Sequence, residues 1–312
     1  MPLLSGKLRA VLVIGIDENG LGPILGPLVV TAVAFEAADY SPEAFWRAAG
    51  TDLTADDSKK VFSPGRLGPA EAATLSWLRA FGLRPPSFAD LADAVVVPPP
   101  LRRPCHLMPA YCAPSGTPLP VWASPKHMSS FDGEEQLAKA GITPFAIRAF
   151  SICPGVYNTA TDAGGINKFA LDCRLMLTLI KQLSAAYDGE VLALCGKVGA
   201  TRRYGPWLEN AGILLWSAEE ETRDISTYRI MPYGRISFIR DGDASHLPIA
   251  VASMVGKYLR ELAMRDINTL LAPPESRPAS GYRDTVTARF IEETEARREA
   301  IGIEPFCFTR NS

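Results

Sequence analysis

No apolar stretch in this 312-residue sequence approaches the roughly 18 to 20 residues that a membrane-spanning helix needs. The longest runs, such as residues 10–16, are strand-sized. Lys7 and Arg9 precede that run as they would in a secretion signal. The run is short, however, has no small-residue cleavage site and ends at Asp17-Glu18, so it reads as a strand. The six cysteines (Cys105, Cys112, Cys153, Cys173, Cys195, Cys307) include no CxxC pair. In a chain this long, that argues for reduced thiols in a cytoplasm and against a disulfide framework. Basic residues are not in excess: 32 Lys and Arg face 34 Asp and Glu, for a formal charge of −2. Bulk charge therefore gives no sign of nucleic-acid binding, which would have to come from a local patch. There are no internal repeats. With 47 % apolar and 21 % charged residues, the composition is that of an ordinary globular protein, long enough for one large domain or a domain plus a small appendage.

Residues 10–16 and 27–36 read as two buried strands joined by the glycine-rich turn Glu18-Asn19-Gly20-Leu21-Gly22. A helix is expected around residues 64–80. Eleven of the 26 prolines fall between residues 84 and 125. Proline breaks helices and cannot donate to a ladder, so this stretch is expected to be an irregular insertion, bounded at 84–132. Residues 143–152 read as a strand. A helix follows over 166–187, with Leu171, Leu175, Ile180 and Leu183 on one face. Residues 190–195 and 235–240 read as further strands. A long helix is expected over 244–270, capped by Asp243 or Ser245 and with Pro248 in its first turn, where a missing N–H costs nothing. A final helix is expected over 285–300. Strands mixed with long helices predict an α/β fold, a mixed sheet flanked by helices. The expected division is a catalytic domain over 1–270 and a C-terminal helical extension over 271–312.

Asp17 and Glu18 end one apolar strand at a glycine turn, and Asp243 lies between another strand and a helix. Side chains at such positions emerge at the rim of a sheet, where sites in α/β proteins lie. Acidic groups meeting there would repel one another unless a cation neutralised them, and Mg²⁺ takes hard oxygen ligands of this kind. Two such ions about 4 Å apart can activate water and stabilise the leaving oxygen in phosphodiester cleavage.

The segment Gly15-Ile16-Asp17-Glu18-Asn19-Gly20-Leu21-Gly22-Pro23, followed by Gly26-Pro27-Leu28-Val29-Val30, resembles the opening motif of ribonucleases HII and HIII. Asp57-Ser58-Lys59-Lys60 resembles the family's DSKK element. Tyr157-Asn158 and Ile166-Asn167 resemble its middle segment. Gly242-Asp243 with Ala252-Ser253-Met254-Val255-Gly256-Lys257 resembles its GD…AS block, and Gly281-Tyr282 with Thr285 its late GY…T element. The matches keep the family's order and span residues 10 to 300.

The resemblance implies a ribonuclease H-like fold and a monomer that binds an RNA/DNA hybrid or a duplex DNA containing ribonucleotides. Asp17, Glu18 and Asp243 would be catalytic and would hold Mg²⁺ or Mn²⁺. The backbone of Gly20-Leu21-Gly22 would lie against the sugar–phosphate, since a backbone approaches a ligand closely where no Cβ intrudes. Lys59 and Lys60 would hold phosphates. Ser253 and Lys257, four apart on one helix face, would act together near the site, and Tyr282 would stack on a sugar or base. The 2′-OH would carry the discrimination of RNA from DNA.

Two positions depart from the pattern. The family's third catalytic aspartate ends the strand after the middle helix, where this chain has Cys195. A thiolate suits Zn²⁺ far better than Mg²⁺, so Cys195 is a doubtful ligand. Asp188 stands at the other end of the same strand, and Asp241 is expected on the opposite face of its own. Lys197, Arg202 and Arg203 follow Cys195, and one of them could sit where a second ion would be. At the other position, Leu21 replaces the usual Arg or Lys. In the proline-rich stretch, Cys105, His106, Cys112 and His127 match no structural zinc spacing well. Three readings follow: an active endoribonuclease, a catalytically impaired module that binds a hybrid or a partner protein, and a hydrolase of a small phosphorylated substrate. The first is preferred, because three acids at a rim have no structural purpose of their own.

Overall fold

A computed structural model describes residues 10–50, 55, 61–63, 65–102, 104, 110–127, 133–163, 165–232, 234–273 and 275–311. Seven strands form one mixed sheet in the order β3-β2-β1-β4-β7-β6-β5. They are β1 (Val11–Asn19), β2 (Leu28–Ala37), β3 (Ile142–Ile152), β4 (Glu190–Gly196), β5 (Trp216–Glu221), β6 (Ile225–Ile230) and β7 (Gly234–Ile239). β1 runs antiparallel to β2 and parallel to β4, and β4 runs parallel to β7. The α/β class expected from the alternation of strands and helices is what the chain adopts.

The helices among the described residues are α1 (Pro42–Ala49), α2 (Leu67–Ala80), α3 (Phe88–Val95), α4 (Gly133–Lys139), α5 (Pro154–Asn158), α6 (Lys168–Ser184), α7 (Gly205–Asn210), α8 (Gly242–Ser245), α9 (Leu247–Leu271), α10 (Thr285–Glu293), α11 (Glu295–Ala300) and α12 (Pro305–Phe308). Period-two alternation divides them between the two faces of the sheet. Val13, Val33, Phe35 and Leu194 point to a core built with α9 and α2. Leu12, Ile14, Ile16, Ala193 and Cys195 point the other way, against Leu171, Leu175, Leu179 and Ile180 of α6. A strand buried on both faces reads as a continuous apolar run, which is why residues 11–16 and 28–35 do so.

The helix α9 approaches β1 closely. A Cβ at Gly15 would lie 2.0 Å from the carbonyl carbon of Pro248, so only glycine fits there. On the far side of α9, Glu71 is fully buried and accepts from the backbone N–H of Val121 (2.7 Å), Trp122 and Ala123 (2.6 Å). The hydroxyl of Tyr258 also donates to it, at 2.6 Å. One side chain thus ties the proline-rich stretch to two helices.

Four expectations need correction. The stretch from residue 84 is not wholly irregular. No proline falls between Pro86 and Pro98, Ser87 caps α3 by accepting from Asp90 N (3.2 Å), and Phe88, Leu91, Ala92 and Val95 are buried. The long helix is capped by neither Asp243 nor Ser245. A single turn, α8, comes first, and α9 starts after His246 in extended backbone (φ −124°). The final helix breaks at Thr294, whose hydroxyl donates back to Phe290 O (2.7 Å) and accepts from Arg298 Nε (3.3 Å). The β5–β6 pair escaped notice because β5, WSAEEE, is an exposed edge strand with almost no apolar signal.

Candidate active site

Because β1, β4 and β7 run parallel, their C-terminal ends open at one rim. Ile16 pairs with Cys195 and Cys195 with Phe238, so the next residues outward are Asp17, Gly196 and Ile239. An open cleft begins there. Asp17, Glu18, Gly20, Leu21 and Gly22 line it from the first turn, Lys197 from the end of β4, and Asp241 and Asp243 from α8 and its cap. Ser253 and Lys257 line it from α9, and Tyr282 from the segment before α10. The structure therefore brings together the residues singled out in the sequence, with two exceptions. Lys59 and Lys60 lie outside the described residues, as do Cys105 and His106. Cys195 is the other.

Asp17 is seated by glycine: a Cβ at Gly196 would lie 2.5 Å from its Oδ1. The Ser253 hydroxyl donates to this carboxylate, and the Asn19 side-chain amide donates to Ser253 O at 3.1 Å. Burial pushes the Asp17 carboxyl well above the usual aspartate range, and the charges of Glu18 and Asp243 push it further. The hydrogen bonds from Ser253 and the Glu18 backbone only partly offset this. Asp17, Glu18 and Asp243 offer hard oxygen donors, the charges of the last two acting on the Asp17 carboxyl, and that donor chemistry suits Mg²⁺ or Mn²⁺.

Cys195 does not reach the cleft. Its side chain is fully buried in the core facing α6, and burial pushes its thiol far up, away from the thiolate that a metal would require. Asp241 does reach the cleft. β7 has ended by Ile239, and Asp241 takes a left-handed backbone (φ 49°), so strand alternation does not govern its direction. Lys197 lines the cleft while donating to Thr222 O (2.9 Å) and Ser226 Oγ (3.2 Å). Arg203 is exposed and pairs with Glu221 (3.8 Å). Lys257 pairs with Glu261 at 2.8 Å. Among the described residues, no group of three or more His, Cys, Asp or Glu side chains is placed as a metal-binding cluster, the acids of the cleft and Cys112 and His127 included.

One acidic residue was missed. Asp172, on α6, is fully buried and neither carboxylate oxygen has a hydrogen-bond partner. Burial raises its carboxyl well above the usual range, and the charge of Asp17 adds to this. It also acts on Cys195. The available signal was spacing: Asp172 stands four before Met176 on a helix face that is buried throughout.

The turn itself is held from below by two arginines that the motifs did not mark. Arg310 Nη1 donates to Gly20 O at 2.5 Å, and its backbone N–H donates to Ile24 O at 2.8 Å. Arg260 Nη2 donates to Leu25 O (3.2 Å) and Ser280 O (3.3 Å). The C-terminal segment carrying Arg310 is fixed by the Asn158 side-chain amide, which donates to Phe306 O (2.7 Å) and Thr309 O (2.8 Å).

No family model matches this chain, and no curated protein matches it by sequence. Solved structures do. The ribonuclease H2 from Pyrococcus horikoshii is 14 % identical, with 95 % of this chain and 92 % of that one covered at a TM-score of 0.47. Bst-RNase HIII, solved in complex with Mn²⁺, is 13 % identical, with 99 % and 68 % covered at 0.43. RNase H3 from Aquifex aeolicus is 12 % identical, with 96 % and 71 % covered at 0.43. Among the described residues, no helix is long and apolar enough to cross a membrane.

Proposed function

We propose that this chain is a ribonuclease HII-like endonuclease that hydrolyses the RNA strand of an RNA/DNA hybrid, or a ribonucleotide embedded in duplex DNA. One observation carries the reading: Asp17, Glu18 and Asp243 line a single cleft beside the backbone of Gly20, Leu21 and Gly22. Bound there, Mg²⁺ or Mn²⁺ supplies an activated water and charge stabilisation at the leaving oxygen. Asp17, Glu18 and Asp243 would hold the ion. Ser253 fixes the Asp17 carboxylate by donating to it. The glycine turn meets the sugar–phosphate, where contact with a 2′-OH distinguishes RNA from DNA. Tyr282, 46 % exposed at the edge of the cleft, offers a ring to a sugar or base. Lys257 faces the strand's phosphates.

The burial of Cys195 favours a second reading, a module that binds the hybrid without cutting it, because β4 then brings no acid to the rim. One experiment separates the two: cleavage of a labelled RNA/DNA hybrid with Mg²⁺ and, separately, with Mn²⁺. The nuclease cuts, and Asp17→Asn or Asp243→Asn reduces the rate by about a thousandfold or more (roughly 4 kcal/mol of barrier). Binding in chelator without cleavage in either metal would identify the silent module. Failure to bind or cut would overturn both readings.

A further inference from the structure

Arg260 and Arg310 lie 1 % and 5 % exposed beneath the cleft. Among the described residues, no carboxylate forms an ion pair with either. Arg260 Nε, Arg310 Nε and Arg310 Nη2 are buried without hydrogen-bond partners. Burial lowers the basicity of Arg310, and the two guanidiniums are close enough that the charge of Arg260 lowers it further. Both abut the same turn. Arg310 donates to Gly20 O, and a Cβ at Gly20 would lie 2.6 Å from Arg260 Nε. Arg260 also lies under the Tyr282 ring, 5.7 Å from its centroid, while Arg310 faces Tyr157 at 5.2 Å.

Arginine stays charged when buried, so this fold keeps two adjacent positive charges that form no ion pair among the described residues, the nearest compensation being the charge of Glu261 acting on Arg260 from a distance. A structural latch for Gly20 O needs only one neutral donor. Side chains within the fold are screened by salt far less than surface lysines are, and their charge acts through the few ångströms of glycine backbone that separate them from a ligand. Leu21, at the apex of that backbone, brings no charge of its own.

We infer that Arg260 and Arg310 make the Gly20–Gly22 turn a cationic platform for a phosphodiester of the bound strand, acting through the backbone as positioning residues. This rests on the nuclease reading above and names the contact that gives it affinity.

The test is binding of a labelled RNA/DNA hybrid in chelator, where no cleavage occurs, to the full-length chain and to Arg310→Gln and Arg310→Lys. Glutamine keeps a donor for Gly20 O and loses the charge, whereas lysine keeps the charge. Arg310→Gln is expected to weaken binding about tenfold, uniformly across sequences, and Arg310→Lys to stay within about threefold of the parent. In Mn²⁺, KM should rise for Arg310→Gln with kcat little changed. If Arg310→Gln fails to fold, Arg260→Gln against Arg260→Lys makes the same comparison at the neighbouring guanidinium. Equal losses in the glutamine and lysine variants, loss only in lysine, or no loss in either would overturn the inference while leaving the nuclease reading intact. If the parent chain bound no hybrid at low salt, the nuclease reading itself would fail, and this inference with it.

Discussion

Arg310 donates to the carbonyl of Gly20 across 290 positions of sequence. The last described residues thereby brace the turn that lines the acidic cleft. The segment that delivers it is fixed at three further points: Asn158 donating to Phe306 O and Thr309 O, and Asn311 N donating to Asn158 Oδ1 at 2.8 Å.

Gly20 is the tightest point of this arrangement. It holds φ at +94°, and a Cβ would lie 2.6 Å from Arg260 Nε and 2.8 Å from Pro27 O. Gly20→Ala should cost about 1–3 kcal/mol in urea unfolding, from the left-handed backbone and the clash combined. It should also abolish cleavage under conditions where the variant remains folded. A variant with the parent's midpoint and rate would show that the turn accommodates a side chain.

Glu71 accepts four hydrogen bonds in a fully buried site, three from the backbone of residues 121–123. Glu71→Gln replaces one acceptor oxygen with a donor that opposes N–H groups. It should lower stability by about 2–4 kcal/mol and expose residues 110–127 to limited proteolysis well before the sheet unfolds. Proteolysis fragments mapped by mass spectrometry would check this.

Asp172 lies buried with both oxygens unpartnered, so removing its charge should help the metal-free protein. Asp172→Asn is expected to raise stability in chelator by about 1–3 kcal/mol at neutral pH. Its folded pKa is raised, so its favourable contribution is complete below the ordinary value of 3.8 and is lost as pH rises through the folded value. The gain in Asp172→Asn should therefore vanish as pH falls toward 3.8. Cys195→Asp should do the opposite, costing about 3 kcal/mol or more, because it adds an acid to the same core. Chemical denaturation of both variants across this pH range tests the pair.

His246 accepts from or donates to the Tyr40 hydroxyl through Nδ1 at 2.6 Å, and its burial lowers its pKa below 6.5 despite the pull of Glu43. The unfolded chain then binds the proton more readily, so this contribution is complete above pH 6.5 and is lost as pH falls through the folded value. The slope can reach about 1.4 kcal/mol per pH unit. His246→Phe should flatten the stability profile on the acid side of 6.5. An unchanged slope would place the effect elsewhere.

The layout of the sheet was legible because β1, β2 and β4 are buried on both faces and carry unbroken apolar runs. The rim was legible because Asp17, Glu18 and Asp243 interrupt such runs at glycines. Cys195 was harder to place. A sequence position can name a strand end, but residue 195 and residue 196 face opposite sides of the sheet, and only the register with Ile16 and Phe238 shows that the thiol points to α6. Asp241 misled for a related reason, since the alternation rule stops where β7 stops. Arg260 and Arg310 carried no local signal, and Asp172 only its place on a buried helix face. Their significance lies in what they fail to pair with, which depends on contacts between segments far apart in sequence.

The contact between Gly15 and Pro248 bears on how this cleft can respond to a ligand. Gly15 is two residues from Asp17, and Pro248 begins the helix that carries Ser253 and Lys257. With no gap between them, strand and helix have no room to slide, so Asp17 and the serine that orients it form a preorganised unit that loses little entropy on binding. On the proposed reading, adjustment to a duplex would then have to come from the periphery, such as Tyr282, with the Asp17 end of β1 as the fixed reference against which it is aligned.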